Sequence, residues 1–427
     1  MEHTLTIKKV IAGGKGLGTL SDGMVAMVPG TLPGETVLVR ETKSHRGYRE
    51  ACLVRILDAA PERVEPPCPY YGRCGGCDLQ HAAYSAQLAL KQRILREALT
   101  RAHLELPPDD PTLASPLPFG YRFRLRLHLD QGGRLGFHEQ ASNTVVPIDR
   151  CLLATEPINR VIDAFVHGGW PRGLAAAIAT VELIHSPADD TVAVVLQSRP
   201  KQRLRPDAGL IAGLRSLADA VVLAADRSGD AAAPVVFCQD FGPRGLSYRL
   251  SWDHRCFFQV NAAQNARLVE LALDLLPHPP LPGTALDLYC GMGNFTIPLA
   301  LAGLTLTSVE QNRRSIHWAQ VNSRAAGLTT TRFFAADVEH QLQALVAAGA
   351  RFDTVLLDPP RQGVGKVAAL LPLLQPAQVL SVSCDPATLA RDLALIVAEG
   401  YRLVRLIPVD MFPQTHHIES VALLERI

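Results

Sequence analysis

From Phe257 onward the chain alternates short apolar runs with helix-period segments, and nothing else in it restricts the fold so tightly. The pattern predicts a helix near Asn261–Leu276, then strands at Ala285–Leu288, Thr305–Glu310, Arg332–Ala336, Thr354–Leu357 and Gln378–Ser383, each followed by a helix, with two closing strands. Strands this apolar are buried on both faces and need helices above and below, so the expected architecture is a doubly wound, mostly parallel sheet. Such sheets do their chemistry just outside the carboxyl ends of the strands. The residues that follow each strand are therefore the ones to inspect.

Asp287 ends the first of these strands, and Gly291 and Gly293 in the following turn allow close approach of a ligand, with Asn294 starting the helix. Glu310 ends the next strand, where a carboxylate can accept both hydroxyls of a ribose. Asp337 follows the third strand and Asp358-Pro-Pro-Arg361 the fourth. A single aspartate at such a junction reads first as a helix N-cap. Carboxylates after four successive strands instead suit a cationic nucleoside and repel a pyrophosphate. S-adenosylmethionine fits this edge and a nicotinamide dinucleotide fits it poorly.

Cys384 lies between the predicted strand Gln378–Ser383 and Asp385-Pro386, on a turn into a helix whose N-terminus is expected to favour a thiolate. A methyl donor beside a thiolate points to a pyrimidine. Carbon 5 of uracil is a poor nucleophile until a thiolate adds to carbon 6, and the adduct must then lose its carbon 5 proton to a base. Glu419, in Thr415-His-His-Ile-Glu-Ser420, opens the last strand and is the leading candidate, with His416 and His417 as rivals.

Residues 1–60 read as a small β-barrel of short strands and Gly/Pro turns, Gly13–Gly18 being turn glycine because no strand-to-helix context and no Lys-Ser/Thr ending accompanies it. Residues 61–83 hold Cys68, Cys74 and Cys77 in a glycine-rich loop, and residues 84–255 form a linker helix and a central α+β domain that contains Cys151. Three clustered thiols and one distant thiol make four soft ligands, suited to an iron-sulfur cluster or a structural zinc. Cys52, Cys238, Cys256 and Cys290 read as packing residues. With 42 Lys+Arg against 41 Asp+Glu, a polyanion must be met by local patches. The candidates are Arg40, Lys43, Arg46, Arg49 and Arg55, and Arg122, Arg124 and Arg126 on alternate positions of one strand face. No run reaches the roughly 20 apolar residues of a membrane helix, so a cytoplasmic protein with no membrane partner is expected, acting as a monomer.

These residues together resemble the RNA uracil-C5 methyltransferase family, ribosomal-RNA branch, over nearly the whole chain. The resemblance rests on Cys68-Pro-Tyr-Tyr-Gly-Arg-Cys74-Gly-Gly-Cys77-Asp-Leu-Gln-His81, Phe257-Phe-Gln259-Val-Asn261, the glycine turn, Asp358-Pro-Pro-Arg361, Ser383-Cys384-Asp-Pro386 and His417-Ile-Glu419-Ser420. One departure is Tyr121-Arg122-Phe123 where members often show Tyr-Arg-Asn. The resemblance implies an α/β fold: a C-terminal doubly wound class I methyltransferase (Rossmann-like) domain at 256–427, an N-terminal OB-like β-barrel (TRAM) and the central α+β domain. It implies Cys384 as nucleophile and Glu419 as base, with Gln259, Tyr289, Asn294, Glu310, Asp337 and Asp358 contacting S-adenosylmethionine. It also implies that Cys68, Cys74, Cys77 and Cys151 hold a [4Fe-4S] cluster. The expected product is 5-methyluridine in RNA, ribosomal before transfer RNA, at an unpaired loop uridine, with salt-sensitive binding through the barrel and basic strand. Cytosine methylation fits less well, because Asp358-Pro-Pro stands where a Pro-Cys setting is usual. A non-catalytic RNA-binding protein would not need both Cys384 and Glu419.

Overall fold

The computed structural model describes residues 1–168, 176–199, 208–224, 235–276 and 283–427. The first five strands are β1 (Glu2–Val10), β2 (Lys15–Thr19), β3 (Val25–Pro29), β4 (Thr36–Ser44) and β5 (Tyr48–Asp58). They close into a barrel in the order β1-β2-β3-β5-β4, with β1 returning to pair with β4. Alternate residues such as Leu5, Ile7, Val37 and Val39 fill its interior. Of the glycine run read as a turn, Gly13 and Gly14 form one, at φ 90° and 73°, while Gly16 and Gly18 belong to β2. A side chain at Gly16 would strike Thr31 and Ile7, so glycine stands there for close packing inside the barrel wall.

A six-stranded sheet follows, built from β6 (Arg124–Leu129), β7 (Leu135–His138), β8 (Val145–Pro147), β9 (Ile178–Ser186), β10 (Thr191–Ser198) and β11 (Ala220–Ala224), in the order β11-β10-β9-β6-β7-β8. Helix Glu156–His167 lays Ile158, Ile162 and Phe165 on it. The hairpin β12 (Val236–Phe241) and β13 (Tyr248–Asp253) packs toward the C-terminal half, where Ser251 N–H donates to Asn322 (2.8 Å) and Trp318 Nε1 donates to Asp253 (3.1 Å). Its Phe237, Leu250 and Trp252 share one core with Phe258, Leu268 and Ile297.

The C-terminal half is a single seven-stranded sheet of β14 (Thr284–Leu288), β15 (Thr305–Glu310), β16 (Arg332–Ala335), β17 (Thr354–Leu357), β18 (Gln378–Ser383), β19 (Tyr401–Val409) and β20 (Glu419–Arg426). Its order is β16-β15-β14-β17-β18-β20-β19, and β20 alone runs against its neighbours. This is the Rossmann-like α/β architecture expected from the alternation. The strand order reverses between β14 and β17, which opens the crevice where such folds bind ligands. Helix Tyr84–Arg101 buries Leu95 and Leu99 in the core that also holds Leu389 and Leu403, tying the linker to the edge of the sheet. On the same helix Lys91 is fully buried and its Nζ lies 2.5 Å from Asp410 Oδ1. No described helix is long and apolar enough to cross a membrane.

Candidate active site

The four acidic residues and the glycine turn gather at the carboxyl edge of β14–β17, each in its own way. Asp287 is fully buried, accepts the Thr296 hydroxyl at 2.5 Å and leaves its Oδ1 unpartnered. Burial pushes its carboxyl up to about 7, with Asp358 and Glu310 adding to the rise. Asp358, partly buried past β17, is likewise pushed up to about 7 by burial and by Glu310. Glu310 accepts the Gly291 N–H (3.3 Å) and the Asn312 N–H (2.7 Å), which fixes it against the turn. Asp337 is exposed and caps the helix Val338–Ala347 through the His340 N–H (3.0 Å). Its N-cap role is therefore real, and it faces Tyr289 as well.

Two features of the turn were not legible from residue types. Tyr289 sits at φ 66°, a left-handed conformation that L-residues adopt rarely and at a cost, held by its N–H to Val309 O (2.9 Å). Asn294 does not cap the helix, which begins at Thr296; its amide exchanges two hydrogen bonds with Asn265 (2.9 and 3.0 Å). Gln259 is buried, and Phe257, two residues before it, is 72% exposed.

Cys384 follows β18 immediately after its last pair, Ser383↔Ser420, and Glu419 precedes Ser420 on β20, so both lie at the same end of this strand pair. Glu419 is 3% exposed. Burial holds its carboxyl well above the usual range, Asp358 adding to this and Arg361 opposing it. Burial likewise pushes the Cys384 thiol up to about 11, Glu419 and Asp358 raising it and Arg361 lowering it. The expectation of a thiolate favoured by the helix N-terminus is thus corrected. Asp385 caps that helix itself, accepting the Ala387 and Thr388 N–H groups (3.0 and 2.8 Å), so the N-terminal donors are spent before they reach the thiol.

Of the rival bases, His416 is bonded through Nδ1 to Asp78, and His417 is pushed down to about 4 by burial and by His416. Arg361, exposed and with no ion-pair partner among the described residues, is the cation whose charge acts on all three of Cys384, Glu419 and His417. The sequence places it four residues past β17 but gives no reason to single it out.

Cys68, Cys74, Cys77 and Cys151 line one cavity of about 40 Å³, with Tyr70, Arg122 and Leu153 around it. Burial raises Cys74, Cys77 and Cys151, Cys74 to about 11, and the neighbouring thiols of the same group add to each rise. No described group of three or more side chains is already drawn together at the spacing of a single metal ion. Cys238, Cys256 and Cys290 are buried, as packing residues should be, and Cys52 is half-buried against Arg40 O.

The arginine strand is less available than alternation alone suggested. Arg124 Nε donates to Glu182 (2.8 Å), its terminal nitrogens donate to the carbonyls of Cys256 and His254, and its guanidinium lies over Phe258. Arg126 shares the same Glu182 at 3.5 Å. A carboxylate from β9 therefore neutralises much of this face.

A family model described as tRNA (Uracil-5-)-methyltransferase matches residues 238–427. The 23S rRNA (uracil(1939)-C(5))-methyltransferase RlmD of Pseudomonas putida is 36% identical to this chain over 99% of its length and 94% of the relative's. The protein of that name from a Shewanella species is 35% identical over 94% and 91%. Among solved structures, Pyrococcus abyssi tRNA (uracil-54, C5)-methyltransferase in complex with S-adenosyl-L-homocysteine superposes with a TM-score of 0.74 at 24% identity, covering 98% of this chain and 99% of that one. By identity along its whole length, the chain belongs to the RNA uracil-C5 methyltransferase family.

Proposed function

We propose that this chain methylates carbon 5 of a uridine in 23S ribosomal RNA, as a cytoplasmic monomer, with Cys384 as nucleophile and Glu419 as base. The observation that carries this reading is the Ser383↔Ser420 pairing, which brings together the strand ends that carry Cys384 and Glu419, with Glu419 and Asp358 both acting on the thiol. The relatives named for 23S rRNA align over the full chain and favour ribosomal over transfer RNA. S-adenosylmethionine, when bound, supplies an electrophilic methyl carbon on a positively charged sulfur. Gln259, Tyr289, Asn294, Glu310, Asp337 and Asp358 are the residues that would hold it.

Cys384 gives its proton to solvent and its sulfur bonds to uracil C6, the C5=C6 pair moving into the ring carbonyl as an enolate. Carbon 5 then takes the methyl. Glu419 removes the C5 proton, the freed pair restores C5=C6, and the C6–S bond breaks with its electrons returning to Cys384. Arg361 opposes the rise of the thiol and is placed to favour its anion. Reaching Cys384 requires the uridine to leave its stack, at a cost of a few kcal/mol that is least in a loop. Incubation with S-adenosylmethionine and 23S rRNA, followed by mass spectrometry, should find 5-methyluridine at one position. Modification of transfer RNA alone would reject the ribosomal assignment, and modification of neither would reject the activity.

The raised acids give this reading a pH signature. In the empty site Asp287 and Asp358 hold protons below about pH 7. A cationic ligand favours their ionised forms, so binding releases protons and affinity must rise as pH rises through about 7, by at most about tenfold per pH unit for each proton released. S-adenosylhomocysteine, whose sulfur is neutral, should show a shallower slope, and Asp358→Asn should flatten the slope for the donor. Calorimetric titration at several pH values checks this; a slope of opposite sign would refute the charge assignment.

The same proposal includes a [4Fe-4S] cluster on Cys68, Cys74, Cys77 and Cys151. Four thiols around one void support it, Cys74, Cys77 and Cys151 being raised by burial, since a bound metal relieves the cost of ionising them. Iron and acid-labile sulfide should be present in protein purified without oxygen and absent from Cys77→Ser. Zinc in their place would select the other soft-metal alternative.

A further inference from the structure

The segment Asp410–Ile418, which joins β19 to β20 and delivers Glu419, has no helix or strand, yet Asp410, Met411, Gln414, Thr415 and Ile418 are all buried. Its backbone is tethered almost residue by residue. Lys91 holds Asp410 and donates to Phe412 O (3.0 Å), and Tyr84 donates to the other oxygen of Asp410 (2.8 Å). Asn261 donates to Met411 O (3.2 Å), and Tyr121 to Pro413 O (3.1 Å). Gln414 itself stands at φ 69°, left-handed and not glycine, five residues ahead of Glu419. Its carbonyl accepts the N–H groups of both Asp78 and Leu79 (3.1 Å each). Its side chain accepts from Gln87 Nε2 (2.9 Å) while its N–H donates back to Gln87 Oε1 (3.0 Å). Two residues on, His416 is bonded to the Asp78 carboxylate.

A strained residue persists only where its surroundings over-determine it. Here those surroundings come from residues 78–87 and from Pro118, whose carbonyl accepts from Gln414 Nε2 (3.3 Å), all remote in sequence and outside the sheet that carries the reacting groups. A fully buried Lys–Asp pair adds little net stability, since desolvation offsets its attraction, so location is what this network secures. We propose that Gln87 and Asp78 are positioning residues for the general base: by clamping the Gln414 turn they fix Glu419 at the same strand-pair end as Cys384. The inference rests on the reading of Glu419 as base.

That reading divides the reaction into steps with different needs. Addition of Cys384 to C6 and methyl transfer to C5 do not use Glu419, whereas loss of the C5 proton and rupture of the C6–S bond do. Displacing the base should slow only the later pair. A misplacement of about 1 Å can cost about 100-fold in a proton transfer that depends on alignment.

The test compares wild type, Gln87→Leu and Asp78→Ala on two RNAs. With 5-fluorouridine RNA, whose adduct cannot lose fluorine to the base, adduct formation should stay within about twofold of wild type. With ordinary RNA, turnover should fall about 10- to 100-fold and a methylated covalent adduct should accumulate, visible as a shifted band. Asp78→Asn, which keeps an acceptor for His416, should recover part of the loss. The Gln87 side chain bonds Ala82 and Gln414 and none of the four cysteines, whereas Asp78 adjoins Cys77, so Gln87→Leu is the variant that reads the clamp apart from whatever those thiols hold. Adduct formation and turnover falling in parallel, or neither falling, would overturn the proposal. If wild type forms no fluorouridine adduct, or Glu419→Gln does not accumulate a methylated one, the underlying reading fails instead and takes the clamp with it.

Discussion

Cys384→Ala is expected to yield a folded protein that binds the methyl donor and makes neither product nor covalent adduct. Without sulfur addition, carbon 5 of uracil has no route to nucleophilic character, so turnover should fall by at least about four orders of magnitude, a barrier increase above about 5 kcal/mol. Folding should change little. Cys384 is only half-buried, its neighbour Asp385 caps the following helix independently, and loss of one sulfur atom at such a place costs about 1 kcal/mol. Single-turnover assays with labelled methyl donor, together with a thermal melt, check both halves. Residual methylation above about one thousandth of wild type would show that another group attacks the ring.

Glu419→Gln should fail at a different point. The nucleophile remains, so the enzyme adds to the ring and transfers methyl, but an amide cannot take the C5 proton and the RNA stays bonded to Cys384. Product release should fall about 10²- to 10⁴-fold while adduct survives denaturation. Stability moves the other way. Because Glu419's carboxyl is raised in the folded protein, folding binds a proton more tightly there; the associated stability is present at low pH and is lost as pH rises through the folded value. A neutral amide of the same shape has no such loss, so the variant should melt at or above wild type in alkaline buffer. Normal product release from Glu419→Gln would transfer the base role to another group, with His417 next in line by position.

The sheet and the acids along its carboxyl edge were readable because burial on both faces writes a continuous apolar run and because each strand ends at a residue whose chemistry is conspicuous. The barrel strand Lys15–Thr19 was not, since glycines that pack inside a wall look the same in a sequence as glycines that bend a turn. Pairings across long separations were also hidden. Glu182 silences part of the Arg124–Arg126 face from a strand that lies 58 residues beyond Arg124, and no local pattern announces it. The protonation state of Cys384 depended on a competition that only coordinates resolve, in which Asp385 takes the helix donors and burial decides the rest. Lys91 falls on the apolar stripe of an otherwise ordinary amphipathic helix, where its type predicts an exposed cation rather than a buried one.

Aligned sequence marks residues 238–427 as a recurrent unit, but the tethering of Asp410 makes that unit a poor cartridge for exchange. Cutting the chain at its boundary would strand a buried carboxylate without Lys91 and release the turn at Gln414 from Gln87 and Asp78. Grafting a different RNA-recognition module ahead of this catalytic half would therefore have to bring residues 78–121 along, or rebuild their function from scratch. Loss of the front half should register as a damaged reaction cycle even on a substrate small enough to need no docking.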